Sequence, residues 1–449
     1  MAAGQKISFT QIQSTFMETF GLGRAAALSA IVLIVLVAIF AAYWFFHSAP
    51  PDTITITSGP EGSIFQANAE KYSKILARNG VKLKILPSQG SQENLKRLAD
   101  PSFRVDIGFV QGGVTSGLKI DNLFSLGSIS YQPILVFYRS DKTVDLLAQL
   151  NGKRLAIGPV GSGTHSLALT LLTANGIEPG GETKMMYMDA DDAVKTLGEG
   201  NVDVVFLMGD SASVQNIRTL MRDTGIHLFD FTQADGYIRR ISYLNKLELP
   251  KGSIDFGKNI PSHDVSLIGP AVELIARAEL HPALSDLLIE AAQEVHGNAG
   301  LFRRHGEFPV PLEHEFHISA DASRYYKSGK SFLYRYLPFW MASLVNRILV
   351  VFVPMVVVLI PGLRLIPVIF QWRVKLRIFR WYRALLALER DLIVELTPGM
   401  REELLQRLDN IEQAVNKMKV PASFAEQFYV LRGHIGFVRN RLSDNTQCH

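Results

Sequence analysis

The architecture of this chain is set by the segment Thr53-Ile-Thr-Ile-Thr-Ser-Gly-Pro-Glu-Gly-Ser-Ile-Phe65. Thr and Ile alternate over its first half, and alternation with a period of two predicts a β-strand. A Gly-Pro-Glu-Gly turn then interrupts the strand, and Ser63 can cap a helix that begins at about Ile64. Backbone N–H groups at such a turn point outward without partners, which favours anions. The segment therefore predicts an anion-binding loop that forms one wall of a ligand cleft.

Two further strand-turn units follow this loop. Val81–Leu86 is a predicted strand, and after its turn Ser91 is the predicted cap of a helix, with Asn94 in a polar variant of the capping box. Val105–Val110 is a short apolar strand that ends at Gln111. Ligands of parallel α/β sheets bind beyond the carboxyl ends of the strands, so we expect the three turns to lie together.

The same pattern recurs in a second half of the chain. A strand at Arg154–Ile157 leads into the glycine-rich turn Gly158–His165 and a helix that begins at about Ser166. A later strand, Val202–Leu207, ends close to Asp210. These units predict a second α/β lobe that closes at about residue 245.

Crossing segments are expected to join the two halves. Strand Ile134–Tyr138 would leave the first lobe, and Asp264–Ile268 with the helix Pro282–His296 would return to it. Each lobe then presents its strand-end turns to the other. Two lobes joined in this way predict a hinged clamp.

Composition limits the classes of function. The 449 residues leave room for more than one domain, and a mean hydropathy of +0.14 indicates membrane segments. A net charge of +4 is too small to indicate nucleic acid as a partner. The single cysteine, Cys448, cannot form an internal disulfide, and no Cys/His cluster has the spacing of a zinc site.

The first apolar segment, Ala25–Phe46, is uncharged and long enough to span a bilayer as a helix. Lys6 and Arg24 precede it, so the positive-inside rule predicts a cytoplasmic N-terminus and an exported domain. A cleaved signal peptide is the alternative. The length of the run, its aromatic end and the absence of an Ala-x-Ala site favour an uncleaved anchor.

A second apolar segment precedes the C-terminal region. Ile348–Leu363 is uncharged but contains Pro354 and Pro361, so a transmembrane helix and an interfacial hairpin are both open, and we predict the helix. A cationic run after it suits a cytoplasmic face and anionic membrane lipid. The amphipathic spacing that includes Leu404, Leu408 and other apolar residues up to Val415 predicts a helical tail.

Enzymatic motifs are weak in this sequence. Gly158–Gly163 lacks the lysine of a phosphate loop and the spacing of a dinucleotide fingerprint. Ser162 lies near His165, but the surrounding residues do not form a nucleophile elbow. The acidic group Asp189–Asp192 lacks the glycine and glutamate of a calcium loop, and a helix N-terminus explains it better. No nucleophile, base and orienting group occur together, so we predict no enzyme and no cofactor.

Taken together, these motifs resemble the TAXI-type solute receptors, which are binding components of tripartite ATP-independent periplasmic (TRAP) transporters. The resemblance covers about residues 53–318 and rests on five motifs in the family's order. They are Thr57–Phe65, Ser88–Leu95, Gln111, Gly158–Thr164 and Leu247–Gly252. Two departures occur: Ser58 replaces a threonine, and Ile64-Phe65 replaces a Tyr-Tyr pair.

The resemblance implies a type II periplasmic binding-protein fold, with two α/β lobes and a hinge, that closes on a small organic anion such as a carboxylate or an acidic amino acid. The predicted domains are residues 1–24 (cytoplasmic N-terminus), 25–46 (transmembrane helix), 53–138 with 262–318 (first lobe), 139–245 (second lobe), 343–366 (second transmembrane helix) and 373–449 (cytoplasmic helical tail). The predicted ligand-binding residues are Ser58, Gly59, Gly62, Ser63, Phe65, Gln89, Gly90, Ser91, Asn94, Gln111, Ser162, Gly163, Thr164 and Asp210.

The expected function is that of a receptor anchored in a bacterial inner membrane, with its binding domain in the periplasm and both termini in the cytoplasm. TRAP permease subunits are the expected partners, together with membrane lipid. The alternative is a ligand sensor or scaffold that signals through the helical tail, because the ordinary family member is a free secreted receptor without such a tail.

Overall fold

The computed structural model describes residues 24–47, 49–115, 117–330, 332–392, 398–418, 420 and 424–444. The predicted N-terminal segment before residue 24 and Cys448 lie outside these ranges. The chain divides into two compact units: residues 49–346 form one, and residues 1–48 with 347–449 form the other.

Residues 49–346 contain two β-sheets with helices packed on them. The strands are β1 (Thr53–Thr57), β2 (Lys82–Leu86), β3 (Ile107–Gln111), β4 (Leu123–Tyr131), β5 (Leu135–Tyr138), β6 (Arg154–Ala156), β7 (Lys184–Met186), β8 (Val204–Leu207), β9 (His227–Leu228), β10 (Leu244–Leu249) and β11 (Val265–Arg277). The helices are α1 (Arg24–His47), which belongs to the other unit, α2 (Ile64–Arg78), α3 (Ser91–Ala99), α4 (Gly163–Ala174), α5 (Ala190–Gly198), α6 (Val214–Arg222), α7 (Ala234–Arg240), α8 (Pro282–His296), α9 (Ala320–Ser328) and α10 (Phe332–Tyr336).

The first sheet has six strands in the order β10-β11-β3-β1-β2, with β4 also paired to β11. β1 is parallel to β2 and β3, whereas β11 is antiparallel to β3, β4 and β10. The Thr-Ile alternation places Ile54 and Ile56 in the core, where α2 contributes Phe65, Tyr72 and Leu76. We call this sheet with its helices the first lobe.

The second sheet has five strands in the order β7-β6-β8-β5-β9. β6 is parallel to β7 and β8, and β5 is antiparallel to β8 and β9. The chain enters this sheet through β5 and returns to the first through β10. We call this sheet with its helices the second lobe. The predicted α/β fold with two lobes is therefore confirmed.

Several boundaries differ from the predictions. Gly90, not Ser91, is the cap residue of α3, and it makes no side-chain cap bond. β4, β10 and α7 had not been predicted, because their sequences mix apolar and polar residues without a clear period. The predicted strand Asp264–Ile268 extends as β11 to Arg277, since pairing with three partners carries it past Gly269-Pro270. Gly269-Pro270 would be expected to end a strand, but the pairing with neighbouring strands keeps β11 extended through it.

The other unit contains α1 and three C-terminal helices, α11 (Phe339–Asp391), α12 (Pro398–Asn416) and α13 (Ala425–Asp444), of which α11 begins in residues 49–346. α11 is a continuous helix of 53 residues through Pro354 and Pro361, which disagrees with the alternative of an interfacial hairpin. Leu28–His47 and Phe339–Leu365 are long and apolar enough to cross a membrane.

The tail has its own apolar core. Leu404, Leu408, Ile411 and Val415 of α12 are buried at the predicted spacing, against residues of α13 and the end of α11 that include Leu385. The predicted amphipathic helix is therefore confirmed. Its core is built from three helices within the described part of the tail.

Candidate functional site

Asn94 joins the three strand-end turns of the first lobe. Its amide oxygen accepts hydrogen bonds from Thr57 Oγ1 at 2.6 Å and Ser88 Oγ at 2.7 Å. Its amide nitrogen donates to the carbonyl oxygen of Phe109 at 2.9 Å and to that of Ser58. The predicted capping-box role of Asn94 is therefore wrong, because all of these bonds go to neighbouring turns. The three turns do lie together.

The first turn uses its polar groups internally. Ser58 Oγ donates to Gln66 Oε1 at 2.7 Å, and Ser63 Oγ accepts from Gln66 N at 3.1 Å as the predicted cap of α2. Phe65 is buried, with its ring centroid 5.4 Å from that of Phe109. Gly62 adopts a φ of +79°, which the turn requires.

Backbone groups of the two lobes bond directly to each other. Ile64 N donates to Ala212 O at 3.1 Å, and Glu93 N donates to Gly161 O at 2.8 Å. The outward-pointing N–H at the start of α2 is therefore satisfied by a second-lobe carbonyl. The two lobes are closed upon each other at these turns.

Glycines permit this close approach. A Cβ added at Gly59 would lie 2.4 Å from the carbonyl oxygen of Asp210, and one at Gly163 would lie 2.2 Å from Gln111 Cδ. A Cβ at Gly90 would lie 2.4 Å from Asp210 Oδ2. Any side chain at these positions would separate the lobes or displace a buried group.

The carboxylate of Asp210 lies at the centre of this contact and is fully buried. Its Oδ2 accepts from the backbone N–H of Gly163 at 2.5 Å and of Ser91 at 3.4 Å. Its Oδ1 accepts from Thr164 Oγ1 at 2.8 Å and from Ser211 Oγ at 3.2 Å. Burial raises the pKa of Asp210, and these hydrogen bonds oppose the rise.

Two helix N-termini from opposite lobes therefore converge on one carboxylate. Ser91 is the first residue of α3, and Gly163 is the first residue of α4. The first turn of a helix favours a negative charge through its unpaired N–H groups and its dipole. The turns thus form an anion site, and in this structure Asp210 supplies the anion. We call Asp210 and its four donors the Asp210 cluster.

Of the remaining predicted residues, Gln111 and Ser162 lie beside this cluster. Gln111 is buried, and its Oε1 accepts from Ser91 Oγ at 3.5 Å. Ser162 caps α4 by accepting from the backbone N–H of His165 at 3.0 Å. Gln89 is exposed, with its backbone N–H bonded to Glu93. The contact between Ser162 and His165 involves the histidine backbone, which does not support a hydrolase.

An open cavity of about 390 Å³ lies beside the Asp210 cluster, bordered by Ile64 of the first lobe and Gly209 of the second. Its lining combines apolar side chains with Lys71, Arg218 and Arg303, and no acidic residue of the described ranges lines it. The sequence reasoning did not single out these cations. They are far apart along the chain, and a surface lysine or arginine carries no local signal of a cavity.

A buried histidine, His296, lies near two of the cations that line this cavity. His296 is almost fully buried, and neither ring nitrogen has a hydrogen-bond partner among the described residues. Burial, together with the charges of Arg303 and Lys71, lowers its pKa to about 3. Two of the three cavity cations, Arg303 and Lys71, therefore lie close enough to His296 to oppose its protonation.

Within the described ranges, no group of three or more His, Cys, Asp or Glu side chains is placed to hold a metal ion. The polar groups in the contact between the lobes are serine, threonine and amide side chains with one carboxylate. Side chains of this kind can donate and accept hydrogen bonds.

Comparison with known proteins gives a family and several distant structural likenesses. The profile of the NMT1-like family matches residues 62–294, which is more than half of the chain. The periplasmic aliphatic sulphonate-binding protein SsuA from Escherichia coli is 18% identical, with a TM-score of 0.34 over 55% of this chain and 69% of that one. With so low an identity and TM-score, this similarity gives no information about the ligand of the present chain.

Two further structures are similarly distant. The alkanesulfonate-binding protein SsuA from Xanthomonas axonopodis pv. citri, bound to MOPS, is 15% identical with a TM-score of 0.35, over 55% of this chain and 74% of that one. An ancestral arginine-binding protein bound to arginine is 13% identical with a TM-score of 0.35, over 54% of this chain and 92% of that one.

Proposed function

Because this chain belongs to the NMT1-like family, we propose that it is a membrane-anchored solute receptor whose two lobes close on a small organic anion. One observation carries the proposal: strand-end turns of both lobes meet at the Asp210 cluster, where N–H groups of two helices converge. A clamp with such groups on both sides binds a solute by closing and excludes water as it does so.

The cations that line the cavity between the lobes support an anionic ligand. Lys71, Arg218 and Arg303 carry positive charge on its lining, whereas the helix N-termini of the Asp210 cluster bond to a carboxylate of the protein. We therefore propose carboxylates, including acidic amino acids, as the first ligand class to test. In this proposal the predicted residues from Ser58 to Asp210 form the turns that meet when the lobes close on the ligand.

The resemblance to TAXI-type receptors extends the proposal to TRAP-type uptake. In that arrangement α1 and the apolar part of α11 would anchor the receptor in a bacterial inner membrane, with residues 49–346 in the periplasm and both termini in the cytoplasm. Leu28–His47 and Phe339–Leu365 have the length and hydropathy that this requires. Permease subunits and membrane lipid would be the partners.

A ligand screen tests the proposal. The full chain in lipid nanodiscs would be heated with succinate, L-glutamate and a series of longer carboxylates. A ligand present at 100 times its Kd stabilises the folded state by about 2.7 kcal/mol, which raises the melting temperature measurably. Failure of every acid to stabilise well-folded protein would count against a solute receptor.

The helical tail favours a second candidate, a sensor that signals through the C-terminal region. The observation behind it is the separate apolar core that the end of α11 forms with α12 and α13. A chain ending at Leu392 removes α12 and α13. Unchanged solute uptake would favour transport, and lost signalling with intact ligand binding would favour the sensor.

A further inference from the structure

We propose that the solute occupies the 390 Å³ cavity beside the Asp210 cluster, and that it is an organic anion with an apolar body about the size of an aromatic acid. This inference rests on the proposed function and names its ligand class. It places the ligand outside the turns that the sequence singled out.

In the Asp210 cluster, the hydrogen-bond donors already bond to a carboxylate of the protein. The backbone donors at the starts of α3 and α4 both bond to Asp210 Oδ2. Three of the four donors of the cluster, Gly163, Thr164 and Ser211, lie on the same lobe as Asp210, so opening of the lobes would leave those bonds in place. A second carboxylate at these donors would meet a like charge within a few ångströms, where repulsion is strong.

The cavity offers the opposite charge. Lys71 comes from α2 of the first lobe, Arg218 comes from α6 of the second lobe, and Arg303 follows α8. None of the three forms an ion pair with any residue that the structure describes. An anion bound here would therefore contact cations from both lobes without breaking a salt bridge. Arginine favours carboxylates through paired N–H donors.

The rest of the lining favours an apolar body. Ile217 and Met221 of the second lobe face the cavity, with Leu249, Ile254 and Phe302. A volume of about 390 Å³ is within the range of sites that enclose small organic molecules. An anion as small as acetate would leave most of this apolar surface in contact with water. A ligand that carries a ring or a branched chain would cover it.

Calorimetric titration of the full chain in lipid nanodiscs tests the inference, with heats from empty nanodiscs subtracted. The probe is 3-phenylpropionate, which joins a carboxylate to an aromatic ring. The control ligand is 3-phenylpropylamine, which has a similar body and the opposite charge. We expect the acid to bind and the amine to bind at least tenfold more weakly.

Variants locate the site. Arg218→Gln removes an exposed cation that makes no ion pair, and we expect it to weaken 3-phenylpropionate binding about tenfold. Arg239→Gln is the matched control, because Arg239 is an exposed arginine of α7 outside the cavity. It should leave the affinity unchanged. Equal affinity of the two variants for 3-phenylpropionate would overturn the inference.

Succinate and L-glutamate, titrated in parallel, separate this inference from the proposed function. If they bind more tightly than 3-phenylpropionate and Arg218→Gln has no effect on them, the receptor stands and the cavity site is wrong. If no acid of either kind binds well-folded protein, both proposals fail. Binding of 3-phenylpropionate that depends on Arg218 supports both.

Discussion

The Asp210 cluster and the cationic cavity lie side by side between the same two lobes, yet they are opposite in charge. In the cluster, helix N-termini surround a carboxylate that the protein itself supplies. In the cavity, Lys71, Arg218 and Arg303 line an open volume without an acidic residue. Backbone donors at glycine turns can be satisfied from within the chain, whereas cations on the lining of an open cavity that form no ion pair with a described residue stay available to an external anion. The comparison predicts that one region closes the lobes and the other binds the solute.

The largest expected effect comes from removing the carboxylate of the cluster. Asp210→Ala leaves the N–H groups of Ser91 and Gly163 buried without an acceptor and removes one of the two partners of the Thr164 hydroxyl. We expect a loss of about 3 kcal/mol in the free energy of unfolding, measured by denaturant titration. Asp141→Ala, at an exposed aspartate, is the control and should cost less than about 0.5 kcal/mol. Equal stability of both variants would show that the cluster does not hold the lobes together.

The pH dependence of stability probes the cavity side through His296. Its folded-state pKa is lowered from 6.5 to about 3, so the unfolded state binds more protons between these values. Stability from this group is therefore complete above pH 6.5 and is lost as the pH falls towards 3. From pH 6.5 to 4.5 we expect a loss of about 2 kcal/mol relative to His296→Leu, measured by denaturant unfolding. An identical pH slope in both proteins would contradict the environment described for His296.

A smaller effect is expected where the lobes approach through glycine. A Cβ at Gly163 would overlap the buried amide of Gln111, so Gly163→Ala should lower the free energy of unfolding by about 1.5 kcal/mol. Gly236→Ala in α7 is the matched control, because no atom lies within 4 Å of the added Cβ. Thermal unfolding of the two variants compares them directly. A Gly163→Ala protein as stable as the control would mean that the lobes adjust at little cost.

The smallest effect is expected at Lys71, which is exposed on α2. Lys71→Gln should weaken 3-phenylpropionate binding about fivefold, or about 1 kcal/mol, because a solvated ammonium contributes less than a paired guanidinium. Lys74→Gln, one turn further along α2 and outside the cavity lining, should leave the affinity unchanged. Calorimetric titration measures both. A stronger effect at Lys74 than at Lys71 would contradict the assignment of the lining.

Local patterns predicted the parts of the fold that depend on neighbouring residues. The sequence correctly predicted strand β1 from its alternation, the helix cap at Ser63 and the bounds of α8. It also predicted the apolar face of α12. β11 was underestimated because three strands hold it beyond Gly269-Pro270. Pairing between distant segments is not visible in a local pattern.

The geometry around the candidate site was predictable in part for the same reason. The turns of the two lobes meet as predicted, because strand ends and helix starts are local signals. The carboxylate of Asp210 accepts hydrogen bonds from the N–H groups of both helix starts only because the lobes approach closely. A local pattern does not show this approach. The convergence of Lys71, Arg218 and Arg303 depends on three distant segments, so no spacing rule could reveal it.

We propose that the solute anion binds the cations of the cavity and not the hydrogen-bond donors of the Asp210 cluster. The most direct test is the affinity of the full chain for 3-phenylpropionate, compared with that of the double variant Arg218→Gln/Arg303→Gln. We expect a loss of about 100-fold, because the variant lacks two charged partners of the anion. An affinity that is unchanged in the folded double variant would contradict it.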